Sequence, residues 1–466
     1  MPARFLIIIT VSALVLSASL AQPQSARPHS APSVPLLYTV AREYSPMAWI
    51  QGAERFRDGA TIFIKDGKSQ RPLVSGFFAT ADTSVSFDGK NVLFAGKRRA
   101  GDHWQIWEVS VPAGKPRRTT QCDDDCVRPL YVPADRFVYA HKIAGQFVLE
   151  IAALGGDRDR GNDKDKDNGK PLQLTYGPGN FLPVDVLHDG RVLFEAAYPL
   201  DDKALAELYT VYTDGSGFEA YRCDHGHSRY SGKQLSSGDI VFARDGKLFR
   251  FRSALAHEIA VSAPAGTYAG DVVETPDNAW VVSWHGAAQK NFELRKWKLG
   301  TPALQPEIVE SGVNIIQPAL LTQRPVPNRH PSGLHEWSYG NVLCLNAYTS
   351  KYQFADGSIA SVRLYTRDAS GATRLLGMAP VEKDGSFYLR VPGDQPLRIE
   401  LLDKTGNTLK REAGWFWLRA GEQRICVGCH AGPETAPENA VPAVLLRSTV
   451  AADMTAGNQP QSAGGH

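Results

Sequence analysis

The sequence predicts an all-β protein, with a β-propeller of roughly six blades followed by a small β-sandwich. Three observations support this. Residues 37–327 contain short strand-like runs between turn signals and hardly any helical periodicity. A turn followed by an apolar run recurs about every 40 to 55 residues. Strand-like runs then continue at shorter spacing towards the C-terminus.

The repeat has a physical basis in its turns. Asp88-Gly89 and Asp189-Gly190 are tight-hairpin sequences, and the apolar run after each is typical of a strand buried on both faces. The period is that of four-stranded propeller blades. Residues 37–42 and 315–321 are expected to close the ring as a composite blade. The five copies of the repeat are residues 85–94, 132–139, 186–194, 235–242 and 274–282.

These repeats resemble the TolB-like propeller family. The resemblance lies at the level of the single blade, so it implies an architecture and no activity.

The second domain is predicted over residues 328–445. A proline-rich segment, residues 325–332, leads out of the propeller. Strands at intervals of about 10 to 20 residues then indicate a small β-sandwich. The predicted strands are residues 341–348, 360–365, 387–391, 397–402 and 414–418.

Both termini are expected to lie outside the folded body. Arg4, an apolar run over residues 5–16 and small residues before Ala21 are typical of a signal peptide, residues 1–21, cleaved after Ala21. Residues 22–36 and 446–466 are predicted to be a disordered leader and a disordered tail. With no second apolar run of about 18 residues, the mature chain is expected to have no membrane span and to be periplasmic or secreted. The net charge of +2 argues against a nucleic-acid partner.

The chemistry centres on Cys426-Val427-Gly428-Cys429-His430. Cys-x-x-Cys-His is the attachment sequence of c-type haem, in which two thioethers hold the porphyrin and the histidine ligates the iron. A redox Cys-x-x-Cys would follow a strand and begin a helix, which the surrounding sequence does not indicate. A zinc site would need a second ligand pair nearby, and none follows His430. The hypothesis is one covalent haem c on Cys426, Cys429 and His430, and a plain disulfide is the alternative.

The sequence around this motif also resembles a known family. The shared features are similar to the haem-bearing middle domain of hydrazine synthase alpha subunits and their exported relatives, in which a propeller precedes that domain. The resemblance implies that Cys426 and Cys429 hold the haem and that His430 is the motif histidine. The segments that support it, in this order, are residues 384–387, 391–392, 396–398, 415–422 and 426–430.

The resemblance does not extend to hydrazine synthesis. In the hydrazine-forming members a tyrosine just past the motif holds the iron, and the motif histidine turns towards a zinc ion. No tyrosine follows His430 here, and the sequence has a single Cys-x-x-Cys-His. Hydrazine synthase activity is therefore not expected.

The remaining cysteines and histidines leave several alternatives open. Cys122 and Cys126 flank three aspartates and could form a disulfide. Cys223, His225 and His227 could share one face of a strand and hold a second metal, zinc by analogy with the relatives, or line the haem pocket. In the alternative interpretation they form a polar turn, and Cys223 pairs with Cys344.

The second axial ligand of the iron cannot be assigned from sequence. The candidates are Met378, Met454, His330, His335 and the 225/227 pair. A methionine ligand would suit electron transfer, whereas an open position would allow small-molecule redox chemistry. Trp415 and Trp417, just before the motif, are predicted to be core residues rather than cofactor lining.

Three functional hypotheses follow. The first is a mono-haem electron-transfer protein whose propeller docks a redox partner protein or covers the iron. The second is a haem-dependent oxidoreductase that acts on a small-molecule substrate at an open iron site. The third is a non-redox propeller binding protein with a Cys426–Cys429 disulfide.

Overall fold

The computed structural model describes residues 34–155, 170–200, 203–222, 226–368, 370–429, 435 and 439–455, with the side chains of 198–200, 203 and 204 left aside. Residues 34–466 form one compact unit. The predicted signal peptide and residues 22–33 of the predicted leader lie outside the described residues. In the described part of the chain, no helix is long and apolar enough to cross a bilayer.

Strands β1 to β24 form six four-stranded antiparallel sheets, which are the blades of a propeller. Blades 1 to 3 contain β1 Leu36–Ala41, β2 Ala60–Asp66, β3 Ser69–Pro72, β4 Ala79–Val85, β5 Asn91–Lys97, β6 Gln105–Ser110, β7 Arg117–Arg118, β8 Cys126–Val132, β9 Arg136–Ile143, β10 Gln146–Ala153 and β11 Leu172–Gln173. Blades 4 to 6 contain β12 Asn180–Val186, β13 Val192–Leu200, β14 Lys203–Val211, β15 Glu219–Ala220, β16 Tyr230–Gln234, β17 Ile240–Arg244, β18 Lys247–Phe251, β19 Ile259–Ala260, β20 Thr267–Glu274, β21 Ala279–His285, β22 Glu293–Lys298 and β23 Gln305–Ile308, and β24 is Asn314–Leu320.

Blade 1 closes the ring. Its strand order is β24-β1-β2-β3, with β24 antiparallel to β1 and Val40 opposite Ile315. The last strand of the propeller therefore completes the first blade, which confirms the predicted composite closure and the six-bladed propeller.

The second strand of each blade contains a run of consecutive buried residues, as the apolar runs predict. In β5 the five central residues are all buried. The turns before these strands use left-handed residues, and Gly89 has a φ of 74° and Gly190 a φ of 90°. Where glycine is absent, Asp135 and Asn278 adopt the same region, which short polar residues tolerate best.

The innermost strand of every blade is interrupted at an equivalent position. Register shifts occur within β4, β8, β12, β16 and β20, and in the pairing of β24 with β1. A β-bulge of this kind redirects one side chain away from the regular alternation. Here the redirected residues line the propeller axis.

Residues 42–59, the plug, connect β1 to β2 and cover one end of the propeller channel. Trp49 and Phe56 are buried and pack edge-to-face with ring centroids 5.6 Å apart. Asn180, the first residue of β12, donates a side-chain hydrogen bond of 3.1 Å to the Ile50 carbonyl. The plug therefore lies against the starting ends of the inner strands.

The second domain is a sandwich of two four-stranded sheets in the orders β31-β25-β28-β32 and β27-β26-β29-β30. A separate apolar core lies between the sheets. The strands are β25 Tyr339–Cys344, β26 Ser361–Arg367, β27 Thr373–Pro380, β28 Phe387–Pro392, β29 Leu397–Leu402, β30 Thr408–Arg411, β31 Gln423–Cys426 and β32 Ala452–Asp453, and the one helix of the described residues is α1 Ala443–Arg447.

Trp417 joins the two domains. Its ring stacks on Phe218 at 3.7 Å and meets Phe181 edge-on at 5.7 Å, both in or beside blade 4. Arg419 adds polar contacts, donating from Nε to the Asp214 carbonyl at 3.0 Å and from Nη1 to Asp394 at 2.6 Å. Trp417 is buried, as predicted, but it packs at the interface between the two domains and not inside the sandwich.

The tail is more ordered than the sequence predicts. Strand β32 pairs in parallel with β28, and Met454 is 2% exposed within the sandwich core. A disordered tail from residue 446 therefore does not hold as far as Thr455. A two-residue strand with one buried methionine is too short to produce a periodic pattern in the sequence.

Candidate functional site

The Cys-x-x-Cys-His segment begins in the edge strand of one sandwich sheet. β31 runs parallel to β25, so that Cys426 lies directly beside Cys344. The Cys426 carbonyl accepts a hydrogen bond of 2.9 Å from the Leu345 N–H. The first motif cysteine is therefore fixed by backbone pairing, while the segment after it leaves the sheet.

Gly428 lets the chain turn between the two cysteines. A Cβ atom at this position would lie 2.0 Å from the Thr349 carbonyl oxygen and 2.8 Å from that of Asn346. No side chain can occupy that space, so the segment approaches the 346–349 loop closely only because residue 428 is glycine.

The 346–349 loop is held from its other side by the turn between β27 and β28. The Ala347 N–H donates to the Gly385 carbonyl at 2.9 Å, and a Cβ at Gly385 would meet Asn346 Oδ1 at 2.7 Å. Asp384 accepts from Ser386 Oγ at 2.6 Å and from the Ala443 N–H at 2.7 Å. Burial alone would raise the pKa of the Asp384 carboxyl, but these hydrogen bonds outweigh burial and hold the pKa below its usual value.

Three thiols meet at this end of the sandwich. Cys344 is buried, Cys426 and Cys429 are half-buried, and none of the three is in a disulfide. Burial, reinforced by Glu412, raises the pKa of Cys429 to about 12. Burial also raises the pKa of Cys426 and, more strongly, that of Cys344. The thiols are therefore protonated at neutral pH, unlike the activated thiolates of redox Cys-x-x-Cys enzymes.

The surface next to the cysteines is partly apolar. Ile425, between Arg424 and Cys426, is 65% exposed. Tyr352 is 42% exposed, and the Lys410 ammonium lies 3.6 Å from its ring centroid. Ile425 and Cys426 are consecutive residues of β31, so the exposed Ile425 side chain lies on the opposite face of the strand from the Cys426 thiol, which packs against the sandwich core.

The family comparison agrees with this geometry. Residues 347–431 match the family model of the hydrazine synthase alpha subunit middle domain. This part of the chain is related to the hydrazine synthase alpha subunit. Over 58 residues it is 36% identical to hydrazine synthase subunit alpha of Kuenenia stuttgartiensis, a stretch that covers 12% of this chain and 7% of that protein. The curated relative is thus matched over a small part of its length.

Solved structures extend the similarity to the whole fold. Kuenenia stuttgartiensis hydrazine synthase superposes with a TM-score of 0.76 and 18% identity, covering 89% of this chain and 71% of that chain. TolB from Acinetobacter baumannii superposes with a TM-score of 0.44 and 12% identity, covering 62% and 67% of the two chains. The all-β fold confirms the predicted fold class. The match to the middle domain of the hydrazine synthase alpha subunit confirms the predicted resemblance.

The residues predicted to form a second metal site are only partly described. Cys223, His225 and the motif residue His430 lie outside the described residues, and His227 is exposed. Cys344, which one alternative paired with Cys223, lies beside Cys426 as a free thiol. Cys122 and Cys126 form a disulfide with Cα atoms 6.3 Å apart.

Three of the candidates for a second iron ligand, His330, His335 and Met454, take part in other packing. His330 stacks on Tyr212 at 3.8 Å, and His335 stacks on Trp337 at 4.4 Å. Met454 is in the sandwich core, and Met378 is 46% exposed on β27. Sequence reasoning missed Cys344 as a neighbour of the motif, because only strand register brings the two residues together.

Proposed function

We propose that this protein is an exported mono-haem c-type protein that transfers single electrons. Cys426 and Cys429 would hold the haem through thioether bonds, and His430 would ligate the iron. The observation that supports this most directly is the pair of uncombined, half-buried thiols at the edge of the sandwich, in the attachment spacing.

The thiols and their surroundings fit a haem. The thiols are three residues apart, one fixed by β31 and the other placed by the turn at Gly428. A disulfide between them, which the binding-protein hypothesis requires, is not formed in the structure. When bound, haem would supply a one-electron redox couple, and this chain would supply its anchors.

The proposal is tested by maturation in a bacterial periplasm that contains the cytochrome c assembly machinery. The purified wild-type protein should show a Soret band and the added mass of one haem. C426A/C429A should contain no covalent haem, whereas C344A should retain it, because Cys344 is not in the motif. A colourless wild-type protein without added mass would contradict the proposal.

An open iron site is the second candidate function. It is favoured by the observation that His330, His335 and Met454 are each packed against other groups. Carbon monoxide distinguishes the two candidates, because it binds a reduced haem whose sixth position is open or weakly ligated. An electron-transfer site with two strong ligands should leave the reduced spectrum unchanged under carbon monoxide.

Export and partners complete the proposal. Covalent haem attachment takes place outside the bacterial cytoplasm, which agrees with a signal peptide cleaved after Ala21. The partner would be a redox protein or a small-molecule substrate. Zinc on Cys223, His225 and His227 remains a prediction, and metal analysis of the purified protein would test it.

A further inference from the structure

Six polar residues surround the propeller axis where the inner strands are interrupted, and they are called here the polar ring. Five come from inner strands and Glu195 comes from the neighbouring strand β13. Four of the inner-strand residues have a left-handed backbone, with φ values of 51° to 57°. The polar ring consists of Asp82, Arg128, Glu195, Ser231, Asp271 and Gln317.

This backbone geometry is costly, because a left-handed conformation is unfavourable for residues other than glycine. The strain recurs at the equivalent position of blades 1, 2, 3 and 5, and in blade 6 Gly270 takes the left-handed position, with a φ of 101°. Strained backbone that points polar groups at a shared cavity is a feature of binding sites.

The ring is connected almost throughout by polar contacts. On one side, Gln317 donates from Nε2 to Asp82, and the Gln317 N–H donates to Asp271 Oδ2 at 3.3 Å. On the other, Arg128 Nη1 lies 3.3 Å from Glu195 Oε1, which also accepts from the Ser231 N–H. These contacts hold every member in place before any ligand arrives.

The circuit closes at Ser231 and Gly270. A Cβ at Gly270 would lie 2.6 Å from Ser231 Cβ and 3.1 Å from Ser231 Oγ, so the serine hydroxyl lies against the residue that precedes Asp271. Asp271 and Ser231 are therefore neighbours on the ring.

A cavity of about 400 Å³ adjoins the ring. Its walls are the final residues of the inner strands, and residues 322–327 of the linker border it. The plug closes the other end of the channel, where Arg55 Nη1 lies 3.5 Å from Asp82 Oδ1. The ring is thus the floor of a blind pocket whose volume falls in the range of small-molecule sites.

Two groups on this floor are incompletely paired: the Ser231 hydroxyl lacks a hydrogen-bond partner, and the Asp271 carboxylate lacks a cation in direct contact. Ser231 Oγ is buried and has no hydrogen-bond partner. Asp271 has no cationic side chain within 4.0 Å among the residues that the structure describes. Burial raises the pKa of Asp271 by more than the longer-range attraction of Arg55 and Arg128 lowers it.

The charges indicate the sign of the ligand. The charged groups of the ring, the plug and the cavity walls carry five negative and four positive charges, on Asp82, Asp185, Glu195, Asp271 and Glu274 and on Arg55, Arg128, Lys233 and Arg324. Arg55 and Arg128 each lie within 3.5 Å of another carboxylate, so Asp271 is the ring carboxylate that has no cation in direct contact. Apolar lining from Leu130, Val184 and Val272 covers the walls above it.

We propose that the polar ring binds a primary ammonium group on an aliphatic stem, with the ammonium on Asp271 and Ser231 and the stem along the apolar walls. An ammonium has three donors and one charge, which match a carboxylate and a hydroxyl acceptor. The inference does not depend on the haem hypothesis.

The test is calorimetric titration of the full chain with n-butylammonium at low salt, with butan-1-ol as the neutral analogue. Saturable binding of the amine, and none of the alcohol, is expected. D271N, which keeps the side-chain shape, should weaken binding at least tenfold, and S231A should weaken it severalfold. D277N is the matched control, because Asp277 lies in the same blade, 61% exposed and 2.8 Å from Lys296, and should leave binding unchanged.

A second arm identifies the source of the ammonium group. Acetyl-Gly-Lys-Gly-amide presents the same group on a lysine side chain. Binding of the peptide with the same dependence on Asp271 would assign the pocket to a lysine of a partner protein, and binding of the amine alone would assign it to a free amine. If neither probe binds, or if D271N binds as tightly as the wild type, the proposal is wrong.

Discussion

At the scale of single residues, the geometry of the Cys-x-x-Cys-His motif depends on Gly428, which has no side chain. Gly428 has an ordinary backbone conformation, so its role is steric rather than conformational. The 346–349 loop occupies the space that a Cβ would need. The second cysteine is therefore placed by the contact between this loop and a bare backbone.

We expect G428A to reduce haem attachment. The added methyl would lie 2.0 Å from the Thr349 carbonyl oxygen, which forces the motif away from the loop and misplaces Cys429. The matched control is G101A, because nothing lies within 4 Å of a Cβ at that position. Covalent haem per chain, measured by mass spectrometry, should fall severalfold in G428A and stay at the wild-type value in G101A.

Asp384 should link the stability of the sandwich to pH. The pKa of its carboxyl is lower in the folded protein than in the unfolded chain. Its contribution is therefore complete above the unfolded pKa of about 3.9 and is lost as the pH falls through the folded value. D384N should lower the free energy of unfolding at pH 7 by about 1–2 kcal/mol. Urea titrations from pH 7 to pH 3 should show a difference that shrinks with acidity, and an unchanged difference would contradict this role.

Cys344 shows where residue-level prediction ends. The sequence predicted that this thiol lies in a strand, and a disulfide to Cys223 was one of the alternatives for an exported protein. Its neighbour is instead Cys426, 82 positions along the chain, because β25 and β31 pair in parallel with these residues in register. Register between distant strands is set by the whole sandwich, so no local pattern reports it.

At the scale of elements, the inner strands combine two tasks. Their buried residues hold each blade against the next, while the bulges in five of the six inner strands direct a polar residue to the axis. The repeated turns predicted the second strands well, since Asp-Gly followed by an apolar run is a local signal. The bulges have no such signal, because an extra residue in a strand changes pairing without changing composition.

The plug should stabilise the propeller through one buried ion pair. Arg55 is 2% exposed, lies 3.5 Å from Asp82 and donates to the Tyr44 hydroxyl at 2.7 Å. Removing one partner of such a pair leaves a buried charge and costs about 3–5 kcal/mol. R55M should therefore be strongly destabilised in urea unfolding.

The double variant tests the cause. In R55M/D82N no buried charge is left at this position, so the loss should be smaller than in R55M alone. Equal or additive losses would show that Arg55 acts by packing on the plug aromatics and not through Asp82.

At the scale of the whole molecule, the two domains share an aromatic contact. Trp417 is contributed by the sandwich but belongs to the hydrophobic core of the propeller. The sequence predicted six blades from the repeated turns, a sandwich from the spacing of its strands and a linker from its prolines, because each of these signals is local. It could not predict the docking, because a buried tryptophan looks the same in a core and at an interface.

Trp417 should determine how firmly the domains associate. W417A removes the stacked contacts to Phe218 and Phe181 and should cost about 3–5 kcal/mol of stability. W417F is the control, because the indole Nε1 has no hydrogen-bond partner in the structure, so only ring area is lost. Limited proteolysis within residues 321–338 should accelerate in W417A and remain slow in W417F. Equal protection in both variants would place the stabilising contacts elsewhere.

The composite blade has a consequence for how the chain folds as it is synthesised. β1 is made first, yet its partner β24 begins at Asn314. Until then an unpaired strand edge stays open to neighbouring chains, a situation that favours aggregation. Truncated chains that end before residue 314 should therefore aggregate unless a chaperone binds β1. Chains that end after Leu320 can pair β24 with β1 and close the ring.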